Sequence, residues 1–169
     1  MSVEKEPLTM KEYEKILKGA KDIDDFTYRT IALLGETGMH ISVLCNETYK
    51  LRIDGKHLVW NRPKKKGKQA YTKIIISERL KPFIEEYLKT PRPTWRQYYN
   101  QIIKTVGIIT GFPKLSPMTF RHTLAIRLLE DGFTPNEVRQ ILNCSLKTLD
   151  HYGKYRQDMI DKKFEDKGW

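Results

Sequence analysis

Two cysteines in 169 residues are too few for a disulfide framework, and Cys45 and Cys144 sit at no zinc-ligand spacing. Together with an opening, MSVEKEPLTM, that is charged and polar rather than a signal peptide, this points to a reduced, intracellular (cytoplasmic) compartment. No apolar run approaches the roughly 18 residues of a membrane span, and no amphipathic stretch is built for a membrane surface. Internal repeats and low-complexity linkers are also missing. The chain therefore reads as one domain over 1–169, long enough to bury a core of its own. Negative charge is scarce: Lys and Arg outnumber Asp and Glu 31 to 21, for a formal net charge of +10. The excess is uneven, because RPKKKGKQAYTK (62–73) contains no acidic residue. Such a balance says nothing about fold but favours polyanionic partners, nucleic acid first among them. Taken alone, the basic stretch is as readily a solvated loop.

What is present is mostly helical patterning around a short β-rich interval. PLTMKEYEKILKGA opens with a capping box, Thr9 and Glu12, ahead of Tyr13, Ile16 and Leu17 at helical spacing. DDFTYRTIALLGETG predicts a second helix stopped by Gly38. YKLRI, a turn at Asp54-Gly55, HLVWN and AYTKIIIS predict three strands of a small antiparallel sheet. From Ser77 the helical pattern returns: SERLKPFIEEYLK with Ser77 as cap, TWRQYYNQIIKTVGI after the breaker TPRPT, and SPMTFRHTLAIRLLEDG between Pro117 and Gly132. TPNEVRQILN and SLKTLDHYGKY predict short helices, and DMIDKKFEDKGW a charged terminal helix. Trp60, Trp95 and Trp169 lie on separate elements and read as packing residues. The fold class is mostly α with a small antiparallel three-stranded sheet (α+β).

Chemistry-bearing residues gather in two places. Arg121 and His122 open a helix among apolar neighbours, and Tyr152 and Tyr155 follow downstream among basic residues. A tyrosine oxygen can attack a phosphodiester and hold it covalently, splitting one hard substitution into two. Charge developing on phosphorus then calls for guanidinium forks, and the leaving oxygen for a proton donor such as a lysine. In their order, LTMKEYEKILKGA, ETGMHISVL, LVWNRPKKKGKQAYTKIIIS, MTFRHTLAIRLLEDGFTPNEVRQILN and SLKTLDHY resemble the catalytic domain of tyrosine recombinases of the phage-integrase type, over about Leu8 to Tyr155.

The resemblance implies Tyr152 as nucleophile, with Tyr155 the alternative, and Arg121 as the second phosphate-binding arginine. It implies one of Lys64, Lys65 and Lys66, Lys64 favoured, as the proton donor to the leaving group. DNA contacts are implied at Arg62, Lys64, Lys65, Lys66, Lys68, Arg121, His122 and Lys147, on duplex or junction DNA, with no metal and no cofactor. It also implies oligomers on DNA through 156–169, an association with the nucleoid in a cell, and no N-terminal core-binding domain in this chain. The departures are informative. His40 stands where the family's first arginine falls, Val43 where an acidic residue follows it, and Met118 where a His or Lys precedes Arg121. Cys144 stands where a His or Trp follows, and the stretch from there to Tyr152 is one residue short. Removing one transition-state donor costs about 10²–10³ in rate, and an arginine on a transferring phosphoryl group roughly 10³–10⁵. The sequence therefore favours a DNA-binding relative with a degenerate active site in a structural or regulatory role. The alternative is an active recombinase cleaving through Tyr152, with His40, Arg52 or Arg62 replacing the first arginine. A third reading takes 134–156 as the helix-turn-helix of a transcription regulator.

Overall fold

The computed structural model describes residues 7–62, 70–144 and 153–168, the side chains of 153–156 excepted. Helix α1 (Met10–Ile23) starts at the expected capping box: the Thr9 hydroxyl accepts from the Glu12 N–H at 3.1 Å and the Glu12 carboxylate accepts from the Thr9 N–H at 2.9 Å. Its stripe of Tyr13, Ile16, Leu17 and Ala20 is buried against α2 (Asp25–Thr37). Burying each of the larger three removes enough apolar surface to contribute roughly 1.5–3 kcal/mol before entropy. Helix α2 is the axis of the fold, buried at every position from Thr30 to Thr37 and packed on α1 on one side and α6 on another. Gly35 permits that approach, since a Cβ there would strike the Tyr13 ring. Gly38 ends the helix at φ 64°, its N–H returning to Leu34 O at 2.9 Å.

A short helix α3 (Ile41–Cys45) and a 3₁₀ turn (Glu47–Tyr49) lead into strands β1 (Arg52–Asp54), β2 (His57–Asn61) and β3 (Tyr71–Ile75). They form one antiparallel sheet in that order, with Ile53 opposite Leu58 and Trp60 opposite Thr72. Thr72 and Ile74 face the core and Tyr71, Lys73 and Ile75 face out, the alternation of a sheet with one buried side. The β1–β2 turn is Gly55–Lys56 rather than Asp54–Gly55. Asp54 still pairs with His57, and the positive φ falls at Gly55, the first turn position.

Helices α4 (Ile84–Lys89), α5 (Arg96–Thr110), α6 (Pro117–Glu130), α7 (Pro135–Leu142) and α8 (Gly153–Asp166) complete the described chain. The helix expected from Ser77 begins only at Ile84. Residues 78–83 form turns, because Pro82 lacks an N–H and disfavours helical backbone at Lys81. Ser77 therefore does not cap, and its buried Oγ has no partner among the described residues. Helix α6 starts on Pro117 and α7 on a second capping box, Thr134 with Glu137. The Thr134 N–H that Glu137 accepts holds this carboxyl below the usual glutamate range. Trp60 is packed in the core, but Trp95 is 71% exposed at the N-cap of α5, outside the helix's packed face. No described helix is long and apolar enough to cross a membrane.

Candidate nucleic-acid interface

Arg121 lies in the second turn of α6 and is buried, 8% exposed. A cation there needs compensation, and two helix ends supply it. Its Nη1 donates to Gly38 O at 2.9 Å, at the C-terminus of α2, and its Nη2 to Leu142 O at 2.6 Å, at the C-terminus of α7. Both carbonyls are orphans of their helices, and each helix end carries partial negative charge. Arg121 thus fastens three helices at one point.

A second arginine reaches the same junction. Arg62, just past the end of β2, donates from Nη1 to Asn143 O at 2.7 Å, the carbonyl next to Leu142 O. Asn143 makes this geometry possible. It adopts φ 50° and closes α7 in a Schellman-type turn, with Asn143 N–H bonded to Gln140 O at 3.3 Å and Cys144 N–H to Arg139 O at 3.1 Å. Its side-chain amide donates to the Thr72 hydroxyl at 3.2 Å, tying α7 to β3. The end of α7 is therefore held by α6 and by both strands that flank residues 63–69.

Around this junction stand several of the residues singled out in sequence. His40 is exposed, two residues past Gly38, and begins α3, its carbonyl accepting from the Val43 N–H at 3.0 Å. Met118, one turn before Arg121, is 37% exposed, while His122 and Cys144 are half-buried. Arg52 has other attachments, to Lys50 O at 2.8 Å and to the Asn61 side-chain oxygen at 3.1 Å, and it bonds none of the residues that hold Arg121. Lys64, Lys65, Lys66, Lys68, Lys147 and Tyr152 lie outside the described residues. Tyr155 is in the first turn of α8, its side chain not among those described, and the 134–156 helix-turn-helix reading runs out of the description after Cys144.

Sequence inspection missed two features. The Arg62–Asn143 contact joins residues 81 positions apart and has no local signature, although Asn after an apolar helix was a readable stop signal. The second is a buried carboxylate, Glu36, one turn of sequence before His40. It accepts from Tyr13 Oη at 2.7 Å and Arg127 Nη1 at 3.2 Å, with Arg79 Nε at 3.9 Å. Burial, and then the adjacent Glu36 charge, hold the Tyr13 phenol well above its ordinary pKa. This network ties α1, α2 and α6 together behind the junction.

The α-helical body with a three-stranded antiparallel sheet at its side is a fold that this chain shares with solved tyrosine recombinase structures. No protein-family model matches the chain. Among curated proteins it is similar to Tyrosine recombinase XerD of Listeria innocua serovar 6a (strain ATCC BAA-680 / CLIP 11262), at 25% identity over 186 aligned positions. That match takes in 93% of this chain and 61% of that protein. The solved structure of XerA recombinase superposes with a TM-score of 0.73 at 20% identity, over 100% of this chain and 66% of that one. The Tn1549 transposon integrase in complex with transposon right end DNA gives 0.71 at 19%, over 98% and 67%. XerH bound to palindromic difH substrate, in a post-cleavage complex, gives 0.70 at 16%, over 95% and 53%. The chain is similar to this tyrosine recombinase over nearly its whole length, shares the fold of the solved recombinase and integrase structures, and spans about three-fifths of the length of the curated relative.

Proposed function

We propose that this domain binds duplex or junction DNA through backbone phosphates and has an impaired or abandoned strand-cleaving centre, so that its role is structural or regulatory. The observation that carries this reading is the asymmetry around Arg121. The arginine is kept and anchored on two helix ends, while the adjacent exposed turn offers His40 and the preceding helical turn offers Met118. A single-point imidazole lacks the bidentate fork of a guanidinium, and a thioether neither donates nor titrates. The net charge of +10 and the basic residues 62–68, with Lys147 and His122, supply contacts that position DNA without reading its sequence. Two of the similar solved structures named above are of DNA complexes, which supports the same partner class.

The second reading is an active recombinase, cleaving through Tyr152 with Lys64 as the acid. It is favoured by the second guanidinium at the junction, that of Arg62. Covalent trapping separates the two. The protein is incubated with nicked duplexes of random sequence, denatured, and examined for a protein–DNA adduct. The impaired-site reading expects tight binding and no adduct; an adduct that vanishes in Tyr152→Phe overturns it. Assembly of copies on DNA through 156–169 is part of either reading. In the structure α8 lies on α6 of its own chain, with Met159 half-buried against the core, so exchange would begin by lifting it.

A further inference from the structure

We infer that the outer face of α5 is a docking surface for an amphipathic helix with acidic flanks, supplied by a partner protein. The inference stands apart from the DNA reading and uses none of its residues. Helix α5 has two faces. Tyr99, Ile103, Val106 and Thr110 are buried, where the helix packs on α1 and α3. The other side of a surface helix is ordinarily polar. Here it carries Ile108 at 60% exposure and Ile109 at 59%. Exposed Tyr98, half-buried Ile102, exposed Thr105 and Ile109 recur at i, i+4, i+7 and i+11, the spacing with which one helix meets another along a seam. Gly111 ends the helix at φ 89°, and the Phe112 N–H returns to Gly107 O at 2.7 Å, which turns half-buried Phe112 back beside the helix end. Local structure does not account for the two isoleucines, because a β-branched residue is a weaker helix former than Lys, Glu or Gln at an exposed site.

Charge selects the occupant. No acidic residue stands between Glu86 and Glu130, so α5 and its flanks carry only cations. Lys104, one turn before Ile108, is exposed, and so is Lys114, two residues past Phe112. Lys15 of α1 holds its Nζ 5.7 Å from the centre of the Phe112 ring. The carboxylates beside Lys15 on α1 are already engaged, Glu12 with the Thr9 N–H and Glu14 with Arg79. Among the described residues, Lys15, Lys104 and Lys114 form no ion pair. A second copy is the wrong occupant, because two apposed α5 faces set cations against cations on domains that each carry +10. DNA is a poor one, because phosphate contacts leave Ile108 and Ile109 in water. A helix with apolar anchors at the same spacing and Glu or Asp on either side buries both isoleucines and meets the three lysines. Flanking charges of this kind are what set partner choice between paired helices.

The test uses three helix-forming peptides of about 18 residues, long enough for five turns, that share one leucine stripe and differ in their flanks: glutamate, glutamine or lysine. Each is labelled with fluorescein and titrated with the full chain at about 150 mM salt, read by anisotropy. The glutamate-flanked peptide is expected to bind at least about 10-fold tighter than the other two. Ile108→Ser/Ile109→Ser, which leaves the charge unchanged, is expected to weaken it by about 10–100-fold while the thermal unfolding midpoint is kept. Lys104→Glu is expected to weaken it by about 2–5-fold and to strengthen the lysine-flanked peptide. Lys89→Gln, whose cation pairs with Glu85 on α4, is expected to change neither. Equal binding of the three peptides, binding of none, or parent-like affinity in the double variant would overturn the docking surface. The double variant is also compared with the parent on a DNA duplex, on phosphatidylglycerol vesicles and by sedimentation. Parent-like behaviour in all three is expected. Loss of duplex binding, of vesicle binding or of a dimer would overturn the inference, since nucleic acid, a lipid surface or a second copy would then occupy this face.

Discussion

At the scale of single residues, Arg121 carries a structural duty beside the phosphate contact proposed for it. Two of its bonds satisfy carbonyls at the ends of α2 and α7. Truncation strands both acceptors, and each stranded buried group costs about 1–3 kcal/mol. Arg121→Ala is therefore expected to lower the unfolding free energy by about 2–4 kcal/mol in urea titrations, with Arg121→Lys in between, whereas exposed Met118→Ala stays within about 0.5 kcal/mol. A loss under about 1 kcal/mol for Arg121→Ala would mean that the three helices are joined elsewhere. The order of motifs singled this arginine out, but its anchoring was not legible there. Gly38 and Leu142 are separated from it by 83 and 21 positions, and only the folded chain brings those carbonyls together. Trp95 makes the opposite point. An isolated tryptophan reads as core, yet here it stands outside the first turn of α5, beyond the reach of that helix's buried face.

Elements were the most legible scale, because caps and periodicity are local. Thr9 with Glu12 marks the start of α1 as its sequence announces, and Thr134 with Glu137 forms the same box at α7. The exception at Pro82 comes from a helical stripe continuing through a residue that cannot join a helix interior, so that α4 keeps only the last part of its pattern. Helix-to-helix packing also buries phenols, with a consequence for pH. Tyr87 bonds to the Thr30 hydroxyl at 2.8 Å, and burial pushes its pKa up to about 12 from the usual 10.0. The unfolded chain releases this proton near pH 10 while the folded chain keeps it, so the native state binds more protons and stability falls as pH rises from about 10 to about 12. Below pH 10 the contribution is complete. Between those limits the parent is expected to lose roughly 2–3 kcal/mol more than Tyr87→Phe, read by urea unfolding at stepped pH. Parallel pH profiles for the two proteins would show that Tyr87 titrates alike in both states.

For the whole molecule, charge is the property that fold does not determine and partner choice depends on. The core is assembled from α1, α2, α5, α6 and the inner face of the sheet, and its making was readable as a class (mostly helical, one small antiparallel sheet) from pattern alone. What pattern does not reveal is which cations the fold brings together, since that depends on contacts such as Arg62 to Asn143. An excess of ten positive charges on a domain of this size draws counterion-coated polyanions, and each phosphate neutralised releases condensed cations from the DNA. Binding dominated by phosphates is then steep in salt. With about 6–10 contacts, affinity for a duplex of arbitrary sequence is expected to fall by about 10³–10⁵ between 50 and 200 mM salt, measured by anisotropy at constant pH. The same fall should appear with an unrelated sequence, because contacts to the backbone carry no base information. A response flat in salt, with affinity retained, would mean that base edges or stacking hold the DNA. In that case the junction of Arg121 and Arg62 would serve as an internal fastening of the fold.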